Sequence, residues 1–237
     1  MSTRYTLNSH LSLFKLTGQD VASFLQNQTI NVFDNKTTPQ PHFTAICNPK
    51  GRIIFSLLLW QSEENYYLAV DQSLAEQFSQ YVQMRIFRMA VKVSQEDTLI
   101  PTIEDNASSQ VKNIKLLPAD NYQRADEAVF WSVFFRSKFP WITQDSSEQF
   151  IPQHLSLDQH NLIEYQKGCY PGQEIIARLH FIGRNKKQMV VIPFNQDKYL
   201  KNGQKVTIND NQVHLCSPMI EIDGQLSAQV VKNKPLD

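Results

Sequence analysis

Glycine is scarce in this chain. Seven glycines in 237 residues amount to about 3%, against a usual value of about 7%. Three of them (Gly168, Gly172 and Gly183) nevertheless fall within one 16-residue stretch, which marks a special backbone site. Cysteine is scarce too. Cys47, Cys169 and Cys216 make an odd count without CxxC spacing, which argues against a disulfide framework and fits a reducing compartment. The N-x-S/T triplets at Asn27, Asn35 and Asn106 are then chance matches. Long apolar runs are missing. The longest, Ile53 to Trp60, contains a serine and falls far short of the ~20 residues that cross a bilayer. The opening Met-Ser-Thr-Arg-Tyr-Thr has no stretch of signal-peptide character. A cytoplasmic location without membrane contact is the expectation. Basic and acidic residues both total 23, so no global field favours nucleic acid or anionic lipid, and electrostatic recognition must be local. There is no Walker loop, GxGxxG or GxSxG. Cys169 and His180 lack a second pair at ligand spacing, so no stably bound metal is expected.

What is present is a mixed pattern of strands and helices. His10 to Leu16 alternates as a strand, and Thr17 with Asp20 reads as the capping box of a helix bearing Val21, Phe24 and Leu25. Asn31 to Pro41 is loop. Phe43 to Cys47 and Arg52 to Trp60 flank the turn Asn48-Pro49-Lys50-Gly51, a hairpin signal, and Glu63-Glu64-Asn65 turns into a strand over Tyr66 to Val70. Leu74, Phe78, Tyr81, Val82 and Ile86 share a helical face over residues 72–88, and Val91 to Val93 returns as a strand. Further on, strands are expected over Val111 to Leu117 and Val129 to Phe135, and a helix over Asp158 to Tyr165. After Met189 short strands alternate with turns at Asn202-Gly203, Asn209 to Gln212 and Asp223-Gly224, a small β unit that must pack on the rest. The order of elements predicts an α+β fold.

Chemistry concentrates in Lys167-Gly168-Cys169-Tyr170-Pro171-Gly172-Gln173-Glu174, ahead of a helix expected over Gln173 to Phe181 with Ile175, Ile176 and Leu179 as its apolar face. Gly168 and Gly172 permit unusual backbone angles, and Pro171 suits a turn or a first helical position. A cysteine close to a helix start gains from the unpaired N–H groups there, and Lys167 and Arg178 add positive charge. Cys169 is either a reactive thiol or a small side chain packed under a tight turn. From Glu164 to Lys187, five cations (Lys167, Arg178, Arg184, Lys186, Lys187) face two acids. Such a basic face suits a carboxylate, a phosphate or an RNA backbone, or is simply solvated.

The eight-residue signature, continued by Ala177-Arg178 and Phe181-Ile182-Gly183-Arg184 and preceded by Phe150-Ile151-Pro152-Gln153, resembles that of the YgfZ family, relatives of the glycine-cleavage T-protein. Leu16-Thr17-Gly18-Gln19-Asp20, Phe24-Leu25-Gln26-Asn27-Gln28 and Asn48-Pro49-Lys50-Gly51-Arg52-Ile53 are similar to its upstream landmarks. The resemblance implies a GcvT/YgfZ-like clover-leaf. Residues 1–187 would form a folate-binding core with a ferredoxin-like lobe near 42–120, and 188–237 a small β-barrel-like lobe. It also implies tetrahydrofolate or a derivative as ligand, iron–sulfur or tRNA-modifying enzymes as clients, and a weak tRNA contact through 178–187. Cys169 would be the functional thiol. Lys167, Gly168, Tyr170, Gly172, Gln173, Glu174 and Arg178 would shape or tune its loop, and Phe130, Trp131 and Arg136 would lie at the folate.

Two departures from the T-protein pattern matter. Its acidic pair is replaced in Gly51-Arg52-Ile53-Ile54-Phe55-Ser56 by Phe55 and Ser56, which argues against aminomethyl transfer and against an enzyme. Its pterin-facing glutamate is replaced by Arg136, which offers only donors where the pterin needs an acceptor. The expectation is a folate-binding accessory protein supporting iron–sulfur enzymes and tRNA modification. The alternatives are a tetrahydrofolate-dependent one-carbon transferase and a ligand-free protein- or RNA-binding scaffold.

Overall fold

The structure is a computed structural model that describes residues 3–32, 40–62, 65–105, 109–194, 200–208, 211–222 and 224–235. Asn35, Asn106, the turn residues Glu63 and Glu64, and parts of the expected loops at 31–41, 209–212 and 223–224 lie outside them. Strands β1 (Thr3–Thr6) and β2 (Leu11–Thr17) lead into helix α1 (Val21–Gln28). Next come β3 (His42–Cys47), β4 (Ile53–Ser62), β5 (Asn65–Asp71), helix α2 (Ala75–Arg85) and β6 (Lys92–Gln95). Then follow β7 (Leu99–Asp105), β8 (Lys115–Pro118), β9 (Gln123–Arg124) and helix α3 (Glu127–Ser137). A long irregular stretch precedes helix α4 (Gln173–Phe181). The chain finishes with β10 (Lys187–Pro193), β11 (Lys205–Ile208), β12 (Asn211–Leu215), β13 (Ile220–Ile222) and β14 (Gln225–Asn233).

Three sheets result, ordered β3-β4-β5-β2-β6, β8-β7-β1-β9 and β10-β14-β12-β11, with β13 paired to β14 in the last. The first sheet carries the main core. Its strand β4 is buried from Ile53 to Trp60, which explains an apolar run without alternation. Phe78 of α2 packs on Phe14 and Phe55, with ring centroids 5.1 and 5.3 Å away. Phe130 of α3 stacks on His10 at 4.6 Å, and Phe134 lies 4.7 Å from Trp141. Trp141 Nε1 in turn donates to Asp71 Oδ2 at 3.0 Å.

Several expectations are corrected. Val129 to Phe135 is helix, not strand: Asp126 caps it by accepting from Val129 N at 2.8 Å, and Phe130 through Phe135 are all buried. A short apolar run covered on every side has no visible period, so its residues alone do not separate helix from strand. Asp158 to Tyr165 is a series of turns, with Ser156 and Asn161 at φ 59° and 55°. Val111 to Leu117 divides into a single helical turn at Val111–Asn113 and strand β8. The helix expected over 72–88 begins as a tight turn at Gln72–Leu74 and ends at Arg85. Thr17 is the last residue of β2 rather than a cap, and Asp20 accepts instead from Ala90 N at 2.7 Å.

The C-terminal sheet has its own apolar cluster around Leu215, Met219 and Val230. Among the described residues β10, β11 and β13 each pair on one side only, so the sheet stays open rather than closing into a barrel. Gln229, with no exposed surface, ties it to the core by donating to the carbonyls of Phe134 and Phe139 at 3.3 and 3.2 Å. Phe134 lies in the last turn of α3, and its carbonyl also accepts from Phe139 N at 3.1 Å, so Gln229 is a further partner. Gln229→Leu is expected to cost about 1–3 kcal/mol in urea unfolding. An unchanged midpoint would mean these bonds contribute nothing.

Candidate functional site

The Lys167–Glu174 segment folds as a tethered loop ahead of α4. Gly172 takes φ 81° and precedes the first helical residue. A Cβ built there meets Asn48 O at 2.5 Å and Gly51 Cα at 2.6 Å. The Asn48–Gly51 turn that it touches is wound on its own side chain. Asn48 Oδ1 accepts from Lys50 N and Arg52 N at 2.9 and 3.1 Å, and Gly51 takes φ 70°. The two glycine-bearing sequence landmarks are therefore packed backbone to backbone. Gly168 has neither a positive φ nor a neighbour within 4 Å of a built Cβ, so the special angle expected of it is not used.

The lysine and the cysteine of the loop point to different surroundings. Lys167 is buried, and its ammonium donates to Thr29 O at 2.6 Å and Asn31 O at 3.1 Å, just beyond the end of α1. Burial lowers it to about 8, with Glu164 opposing the shift. Tyr170 is buried beside it, its ring centroid 5.1 Å from Nζ, and burial pushes its phenol up. Gln173 Nε2 closes the loop on Lys167 O at 3.3 Å. Cys169 is exposed, whereas Cys47 and Cys216 are buried and their thiols are pushed up by burial. All three thiols are free.

Helix α4 seats only Ile176 in the core, and Ile175 is 42% exposed, which corrects the expected apolar face. Gln153 Nε2 holds the carbonyl of Ile176 at 2.7 Å, so the Phe150–Gln153 segment braces the helix. Glu174, Arg178, Arg184, Lys186 and Lys187 are exposed. Next to that brace, burial lowers the His154 imidazole to about 4, helped by Lys187 and Arg52. An unfolded histidine titrates near 6.5, so the unfolded chain binds the extra proton between about pH 6.5 and 4. Stability from this group is present above that window and is lost as pH falls through it. His154→Gln is expected to flatten the acid limb of a pH–stability profile without abolishing it, because burial lowers His160 and His214 as well. Superimposable acid limbs would exclude His154 as a source.

A cavity of about 410 Å³ lies beside the loop, with Asn31, Phe43, Lys112, Phe139 and Glu164 in its wall. Asn31 is thus shared between the cavity and the Lys167 tether. Phe130 and Trp131 are buried in the core and do not line this cavity. Arg136 stands near the end of α3, its guanidinium bonded to Ser132 Oγ at 3.1 Å. The turn after it, with Lys138 at φ 55°, delivers Phe139 to the cavity wall. Sequence reasoning missed Asn31, Phe139 and Glu164. The only signal for Glu164 was its position three residues before the signature. Among the described residues no three His, Cys, Asp or Glu side chains gather as a metal site, and no helix is long and apolar enough to cross a membrane.

The "tRNA-modifying protein YgfZ" of Yersinia enterocolitica is 28% identical over 273 residues, spanning 95% of this chain and 83% of its own length. That of Escherichia coli O157:H7 is 23% identical over 95% of this chain and 84% of its own. Over nearly its whole length the chain is similar to the YgfZ proteins. An uncharacterized protein of Haemophilus influenzae is 24% identical over 246 residues, 95% of this chain and 87% of that one. No protein-family model matches. The glycine cleavage system aminomethyltransferase T of Bartonella henselae superposes with a TM-score of 0.63 at 12% identity, covering 98% of this chain and 78% of that one. The fold is therefore GcvT-like, as the YgfZ resemblance implied.

Proposed function

We propose that this chain is a folate-binding accessory protein that supports the assembly or repair of iron–sulfur enzymes, and through them tRNA modification, with Cys169 as its functional thiol. The observation that carries the reading is the Lys167 tether. It joins the loop of the exposed Cys169 to Asn31, a residue of the cavity wall. The cavity is within the size range of small-molecule sites, and Phe43 and Phe139, 4.9 Å apart, give it an aromatic wall. Folate fits this chemistry: a flat heterocycle against rings, with polar groups at its edges. Phe130 and Trp131 act from behind by anchoring α3, and Arg136 stands just before the turn that presents Phe139. When bound, folate would supply a one-carbon or reducing unit. The chain's own part is to hold it and to present Cys169.

Aminomethyl transfer is disfavoured by the residues at the T-protein's acidic pair. Phe55 is fully buried against Phe78 and Tyr81, and Ser56 Oγ accepts from Ile142 N at 2.8 Å. Neither offers a carboxylate to a folate amine. The similarity to YgfZ proteins described as tRNA-modifying supports a role in tRNA modification. The test is an anaerobic calorimetric titration of the reduced protein with tetrahydrofolate. Micromolar binding is expected, and no heat up to millimolar ligand would overturn the folate part of the reading.

A further inference from the structure

We infer that Glu164 is the acceptor for the pterin edge of the ligand and that Lys112 is the cation for its glutamate tail, a proposal that rests on the folate reading above. A pterin presents adjacent N–H donors from its ring and its 2-amino group, and a carboxylate is the natural mate for such a pair. At the position where the T-protein relatives carry a glutamate, this chain has Arg136, and its guanidinium is bonded to Ser132 on its own helix. The acceptor must come from elsewhere. Among the described residues that line the cavity, Glu164 is the one carboxylate and Lys112 the one ammonium.

The Glu164 side chain is fixed in place. Its backbone N–H donates to Ile30 O at 2.9 Å, and its carboxylate accepts from Gln166 N at 2.8 Å. A carboxylate has about four acceptor sites, so that one bond leaves most of its capacity for a ligand. Asn31, another polar residue of the wall, is committed. Its amide donates to Phe43 O at 3.0 Å and its carbonyl oxygen accepts from Thr44 Oγ1. Phe43 and Phe139 supply the apolar faces, leaving Glu164 to read the edge. Folates end in one or more glutamates, and Lys112 gives those carboxylates a partner in the same cavity. The pairing of one acid with one base matches the charge pattern of a folate, with donors at one end and carboxylates at the other.

The test is calorimetric titration with 5-formyltetrahydrofolate, in its mono- and triglutamyl forms, of the wild-type, Glu164→Gln and Lys112→Ala proteins. Glu164→Gln is expected to weaken binding about 10- to 100-fold, the range for losing a charged hydrogen-bond partner. Glutamine retains an acceptor for Gln166 N, so the loop keeps its shape. A folate analogue carrying methyl in place of the 2-amino group reads the same contact without touching the protein. It should lose a similar factor on wild type and little more on Glu164→Gln. Lys112→Ala should remove most of the advantage of the triglutamyl ligand and its sensitivity to salt. Equal affinities of wild type and Glu164→Gln would overturn the Glu164 assignment while leaving folate binding standing. An undiminished triglutamyl advantage in Lys112→Ala would overturn the Lys112 assignment. A wild-type protein that binds no folate would overturn both, together with the folate reading itself.

Discussion

Gly172→Ala is expected to lower the thermal midpoint by roughly 5–15 °C, equivalent to about 2–4 kcal/mol in a chain of this size. Two costs combine. At φ 81° a side chain is strained, and the added Cβ would sit 2.5 Å from Asn48 O and 2.6 Å from Gly51 Cα. Both obstacles are backbone, so neither can swing aside as a flexible side chain would. Gly168→Ala, four residues earlier, has open space and no positive φ, and is expected to stay within about 0.5 kcal/mol of wild type. A paired melting experiment checks both. Equal midpoints for the two variants would mean that the loop and the Asn48–Gly51 turn are not in contact.

Lys167→Met is the second large effect, and its pH dependence identifies the cause. Methionine fills the stem volume but leaves the carbonyls of Thr29 and Asn31 without their donor. The relief of no longer burying a charge offsets part of that loss, leaving a net cost of about 2 kcal/mol at pH 7. The lysine's folded pKa, about 8, lies below the unfolded value near 10.4. Between those values the unfolded chain holds a proton that the folded chain has released, so this group's contribution to stability rises with pH. The deficit of the variant relative to wild type should therefore widen from pH 8 to pH 10. Burial pushes the thiols of Cys47 and Cys216 up, which makes both proteins less stable above about pH 8.5, but that effect cancels in the difference. Urea unfolding of the pair across this range is the measurement. A deficit that stays constant would contradict a buried ammonium.

Much of the site was legible because its signals are local. The turn at Asn48-Pro49-Lys50-Gly51 and the helix at Gln173–Phe181 announce themselves through glycine and proline, which constrain the backbone wherever they stand. That Gly172 and Gly51 touch was not legible, because no residue type encodes a partner some 120 positions away. The sequence shows Lys167 as a charge, but its burial depends on the carbonyls just beyond α1 to which it donates. The Val129–Phe135 run reads as a strand because a helix buried on all sides loses the period that identifies it. Glu164 lay in a segment expected to be helical. Its role in the cavity wall depends on the turns that replace that helix and on Phe139, which the left-handed Lys138 delivers from the end of α3.

The most direct test of the proposed function is complementation of a strain deleted for this protein with Cys169→Ser. The side chain is exposed, so serine should leave the melting temperature of the purified protein unchanged. The predicted result is a well-folded variant that fails to restore the activity of iron–sulfur enzymes and the tRNA modifications that depend on them. Full restoration by the serine variant would contradict a functional thiol at Cys169.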